Sequence, residues 1–200
     1  GEPGHEASIA AAGMLAVADH ETPAKLREFA GESARLYPEF VERLESLSGI
    51  TVDFRRHGNL VLLPEPAPLP GHQAISSADL ARMEPALSSG TLFPFFIPGD
   101  TVDPVLLMRA ALMAAQRQGI EVRGHTAVCE IRSAGTEVEV VTSTETLTAR
   151  TAVNCRGSWA GVPVRPRKGQ MLSLMPANPR LLTHVVQAPG DYVVPRTAGR

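Results

Sequence analysis

The strongest constraint on this chain is the order in which two element types alternate. Thr22-Pro23 and Asp103-Pro104 each set a capping side chain ahead of a proline, a pairing suited to the start of a helix. Behind the first, Leu26, Phe29, Ala30, Ser33, Leu36, Tyr37, Phe40, Val41, Leu44 and Leu47 recur at helical spacing up to Gly49, with Pro38 expected to kink or restart the run. Behind the second, Leu106, Leu107, Ala110, Ala111, Met113 and Ala114 do the same up to Gly119. Strand-like pieces lie between and after the helices. A hairpin is expected over 50–63, turning at Arg55–Asn59, and the stretch 91–97 reads as an edge strand because of Pro94. A strand is expected at 120–123, an antiparallel meander over 127–149, and a short buried strand over 151–155. Further strands are expected at 169–175, 183–188 and 191–195, and a short helix opens at Ser76 or Ser77. This order predicts a mixed α/β or α+β fold and excludes a helical bundle or a β-sandwich.

Composition narrows the functional classes. Apolar residues make up 44% and charged residues 20%, and the formal net charge is −2. Nothing there favours nucleic acid or an anionic membrane. No apolar run reaches the ~20 residues that span a bilayer. Cys129 and Cys155 cannot form a disulfide framework, which points to the cytoplasm. The six histidines lack a metal-ligand spacing, and no nucleophile elbow or phosphate loop is present.

Three stretches admit a chemical role. Residues 6–17 are small and apolar around Gly13, as in a helix packed through alanines or a backbone lying against a flat ligand. Val164–Leu172 places Arg165, Arg167 and Lys168 before Gly169-Gln170, as in a solvent-facing loop or a grip on an anion. Tyr192, Val194 and Arg196 share one strand face, as a carboxylate site or an ordinary cross-strand pair.

Together these segments resemble the D-amino-acid oxidase superfamily of FAD-dependent oxidoreductases, and within it the glycine oxidase branch of thiamine biosynthesis. The resembling segments are Glu6–Leu15, Val102-Asp103-Pro104, Val153–Ala160, Arg165–Gln170, and Tyr192–Arg196 with Gly199-Arg200. They occur in the family's order. The resemblance implies a Rossmann-like FAD-binding domain, incomplete here, interleaved with a mixed β-sheet substrate domain. Residues 1–21 and 98–162 would belong to the first, and 22–97 and 163–200 to the second. Ala10, Ala11, Ala12, Gly13 and Met14 would run past the flavin ring. Val128 would contact the adenine side. Asn154, Gly157 and Trp159 would lie in a turn near the ribose and pyrophosphate. Tyr192 would stand at the catalytic site beside the substrate, with Arg196 as a second substrate-binding residue.

The implied reaction is oxidation of the C–N bond of glycine or another small (D-)amino acid, giving an imine and then an oxo acid. D-amino-acid dehydrogenase, sarcosine-type oxidase and a noncatalytic binding domain are the alternatives. The implied partners are a small amino acid or amine and possible further copies of the chain, with no nucleic acid and no integral membrane segment. Departures from the family pattern are the lack of a GxGxxG near the start, the stop at Arg200, and a short connection between Trp159 and Arg165. These residues alone are therefore expected to bind FAD weakly or not at all, and not to turn over.

Overall fold

The computed structural model describes residues 2–15, 22–66, 71–166, 168–178 and 180–197. Arg167 and Gly199-Arg200 of the motifs quoted above lie outside them, as do residues 16–21. The described chain runs α1 (Ala7–Ala10), β1 (Met14–Leu15), α2 (Arg27–Ser48), β2 (Phe54–Arg55), β3 (Asn59–Leu63) and β4 (Gln73–Ala74). It continues through α3 (Ser77–Met83), β5 (Phe93–Ile97), β6 (Asp100–Val102), α4 (Pro104–Arg117) and the strands β7 (Val128–Ala134), β8 (Glu137–Thr142) and β9 (Thr146–Ala149). Strands β10 (Val185–Ala188) and β11 (Asp191–Val193) follow. The expected mixed α/β order is what forms.

The strands make three sheets, ordered β1-β6-β2, β11-β10-β3-β5-β4 and β7-β8-β9. The third is the antiparallel meander expected over 127–149. The five-stranded sheet pairs β10 parallel to β3 and is otherwise antiparallel.

Two cores follow from the helix patterns. Val41 and Leu44 of α2 pack on Ala110 and Ala114 of α4, with Val52 and Val102. Small residues on α4 let the helices approach closely. This core takes α2 from the stretch expected in the substrate domain and α4 from the stretch expected in the FAD domain. Leu80 of α3 packs with Leu60, Leu62 and Val186 on one face of the five-stranded sheet.

Local chemistry accounts for the helix starts. Asp103 Oδ1 accepts from the N–H groups of Val105 and Leu106, at 2.9 and 3.1 Å, so Asp103-Pro104 opens α4 as expected. Ser76 and Asp79 form a reciprocal capping box at α3. Thr22 does not cap the first helix. A 3-10 turn over Ala24–Leu26 precedes α2, and Pro23 stands one place ahead of it. The helix then runs unbroken through Pro38.

Several strand expectations are corrected. The 50–63 hairpin does not close, because β2 joins β6 and β3 joins β5 and β10. The turn between them is built on Gly58, at φ +78°, whose N–H bonds Gly99 O at 3.0 Å and whose added Cβ would lie 2.3 Å from the Phe96 ring. Strand β5 is interior, not an edge. Pro94 turns its carbonyl toward the β4 side, where it accepts from Ile75 N. Its missing N–H is on that side too, just beyond the two residues that β4 pairs. The stretches 120–123, 151–155 and 169–175 form no strands and are mostly exposed. Among the described residues no neighbouring strand is there to take their backbone groups.

Candidate functional site

The site is built on the sheet face turned away from α3. Register puts Tyr192 opposite Gln187, Gln187 beside Val61, and Val61 opposite Phe95. These four share one row and one face. Asn59, Ile97 and Val185 form the next row on that face. Most of it is buried and apolar, which makes its two amides conspicuous. Both side-chain polar atoms of Asn59 are buried and lack a hydrogen-bond partner among the described residues. Among the described residues, Gln187 Nε2 reaches only the thioether of Met14, a weak acceptor, at 3.7 Å.

That contact joins the sheet to the Ala10–Met14 segment. Ala10 ends α1 and is exposed, as is Ala11; Ala12 is buried. Gly13 has φ +68°, and a Cβ there would lie 2.0 Å from Val102 O. Gly13 O accepts from Val102 N at 2.9 Å, and Met14 pairs with Thr101. One side of the segment is thus pressed onto β6, while Ala10 and Ala11 leave an open, small-residue surface.

The chain after β11 ties the two sheets together. Arg196 donates through Nη1 to Val102 O at 3.2 Å and through Nη2 to Ala12 O. The Thr197 N–H bonds Asp53 Oδ2 at 2.7 Å, and Arg55 bridges Asp53 and Thr197 Oγ1. Burial by itself would raise the Asp53 pKa. The hydrogen bonds from Arg55 and Thr197 outweigh it and hold the carboxyl below its usual range.

Tyr192 is exposed, and its hydroxyl meets Met171 Sδ at 3.2 Å. The structure therefore brings Met14, Tyr192 and Arg196 into one neighbourhood. The other expected residues gather elsewhere. Val128 opens β7, and its carbonyl accepts from Arg156 Nη1 at 3.4 Å. Asn154 accepts from the Arg156 N–H and donates to Ala160 O, closing the turn that holds Gly157 and Trp159. Gly157 has φ +52° with open space around it, and Trp159 is 77% exposed. Sequence reasoning missed Gln187, Asn59 and Arg156. The first two had a readable signal: each is an amide in an otherwise apolar strand, VVQA and NLVLL.

Comparison with known proteins gives this geometry its context. All of residues 1–200 match the family model described as FAD dependent oxidoreductase, DAO. The chain belongs to the DAO family of FAD-dependent oxidoreductases. It is 31% identical to a glycine oxidase of Bacillus licheniformis, over all of this chain and 59% of that protein. It is 34% identical to a bifunctional protein ThiO/ThiG of Synechocystis, over 97% of this chain and 32% of that protein. The crystal structure of glycine oxidase from Geobacillus kaustophilus has the same fold, with a TM-score of 0.79 at 24% identity, over 98% of this chain and 60% of that one. The DAO chain thus spans about three fifths of the length of the glycine oxidases it matches. Among its described residues no helix is long and apolar enough to cross a membrane.

The residues present fit the flat end of a flavin. The Ala10–Gly13 backbone offers a surface without bulky side chains. The Gln187 amide, which meets only a weak acceptor among the described residues, suits the polar edge of such a ring.

Proposed function

We propose that the protein oxidises the C–N bond of glycine or another small (D-)amino acid, using FAD. The observation that carries this reading is the Met14–Gln187 contact. It sets the small-residue segment beside the sheet row that ends in Tyr192. When bound, FAD supplies an acceptor for the hydride on the carbon bearing the amine. The amine lone pair becomes the second bond of an imine as that C–H bond breaks. Water then releases ammonia and the oxo acid.

The residues of this chain do little bond-making in this reading. Ala10 and Ala11 keep the approach to the ring clear. Val61, Phe95 and Ile97 are core residues that hold the row in place, and Tyr192, exposed at its end, supplies a hydroxyl next to the substrate. Orientation supplies most of the rate when the cofactor carries the chemistry. Val128 and the Asn154–Trp159 turn would hold the adenine and ribose side of FAD, and the Arg156 bond to Val128 O supports their acting together.

The test is turnover by the complete gene product loaded with FAD, with glycine, D-alanine, sarcosine and L-alanine as substrates. Ammonia and oxo acid formed from glycine or D-alanine are expected. Turnover confined to a secondary amine would move the assignment to a sarcosine-type enzyme. No reaction with any of them would refute it.

A further inference from the structure

We propose that Arg196 is a positioning residue: it straps the Ala12–Gly13 segment to β6 and so sets the place of the flavin ring relative to the Tyr192 wall. This rests on the flavin reading given above. The strand-face pattern alone would allow Arg196 a substrate carboxylate, and the structure points elsewhere. Its guanidinium spans two main-chain carbonyls, Ala12 O and Val102 O, that belong to different strands of chain. A planar fork with several donors can bridge two such acceptors, and a lysine ammonium cannot hold the same geometry.

Everything around the strap is itself fixed. Ala12 and Val102 are buried. Gly13 lies against Val102 O with no room for a side chain. Upstream of Arg196, β11 is paired to β10 through Tyr192 and Gln187. Downstream, Thr197 is bonded to Asp53 and Arg55. Beside the Met14–Gln187 contact, Arg196 is therefore a direct link between the chain that carries Tyr192 and the segment proposed to touch the ring. A shift in the strap would move the ring surface against the wall while leaving the meander untouched.

Arg196→Met and Arg196→Lys in the complete FAD-loaded protein test this. Three quantities are read: FAD affinity by flavin fluorescence, affinity for acetate as a carboxylate inhibitor at saturating FAD, and hydrogen exchange by mass spectrometry. Arg196→Met is expected to weaken FAD by about tenfold, the scale of a charge-assisted hydrogen bond lost. Acetate affinity should stay within about twofold, since no carboxylate ligand has gone. Arg196→Lys, the gentler change should the first fail to fold, is expected to speed exchange over 10–15 and 100–103 and not over 128–149. Unchanged FAD affinity with a large loss of acetate binding would overturn the proposal and make Arg196 a carboxylate ligand. Unchanged exchange at 10–15 would overturn it as well. Should the wild-type protein bind no FAD, the flavin reading fails, while the exchange experiment still reports on the strap.

Discussion

Gly13→Ala perturbs the joint between the small-residue segment and β6 with a single methyl group. Two terms add. Gly13 has φ +68°, and holding alanine in the left-handed region costs roughly 1–2 kcal/mol. The new Cβ would also lie 2.0 Å from Val102 O, where ordinary contact begins at 3.4 Å. That atom is main chain and cannot swing aside, so β1 and β6 must part by more than an ångström. The Val102 N–H bond to Gly13 O is then lost, at about 1 kcal/mol, and the Arg196 bond to Ala12 O is strained. The total is about 2–3 kcal/mol, a sizeable share of the ~5–15 kcal/mol that holds a domain folded. Gly119→Ala is the matched control. It has φ +71° and no atom within 4 Å of an added Cβ, so it carries only the backbone term of roughly 1–2 kcal/mol. Urea unfolding followed by circular dichroism measures both. Equal losses in the two variants would show that the close approach at Val102 carries no energy, and the reasoning would fail.

Other expectations follow from the same contacts. Asp53 has a folded-state pKa below its unfolded value, so its contribution is present above that unfolded value, about 4, and disappears as pH falls through the folded one. Wild-type stability should therefore fall more steeply on acidification below about pH 4 than that of Asp53→Asn, and parallel pH curves would contradict this. Asp103→Ala removes the acceptor for two N–H groups at the start of α4 and should lower stability by about 1–2 kcal/mol; a melting temperature unchanged within error would count against the cap.

How much of this was legible in the sequence depended on whether a signal was local. The α4 cap, the α3 start and the meander were readable because each rests on neighbours a few residues apart. The 50–63 hairpin misled because alternation reports a strand but not its partner. Gly58 sends the second strand into another sheet, and only the long-range pairing with β5 and β10 shows it. Residues 151–155 and 169–175 look like strands by composition and find none to pair with among the described residues. Glu84 closes α3 as its C-cap. It is buried, and its carboxylate takes the N–H groups of Thr183 and His184, about a hundred residues away, which no local pattern encodes. The site divided in the same way. Small residues at 10–14 and the Tyr192–Arg196 face were visible as types, but the part Arg196 plays depends on carbonyls far from it in sequence.

The most direct measurement is the visible spectrum of the complete FAD-loaded protein as glycine is added without oxygen. Loss of the long-wavelength flavin band on mixing, with glyoxylate and ammonia formed in proportion to the flavin, is the predicted result. A flavin spectrum that stays oxidised with glycine and with every other small amino acid would contradict the assignment.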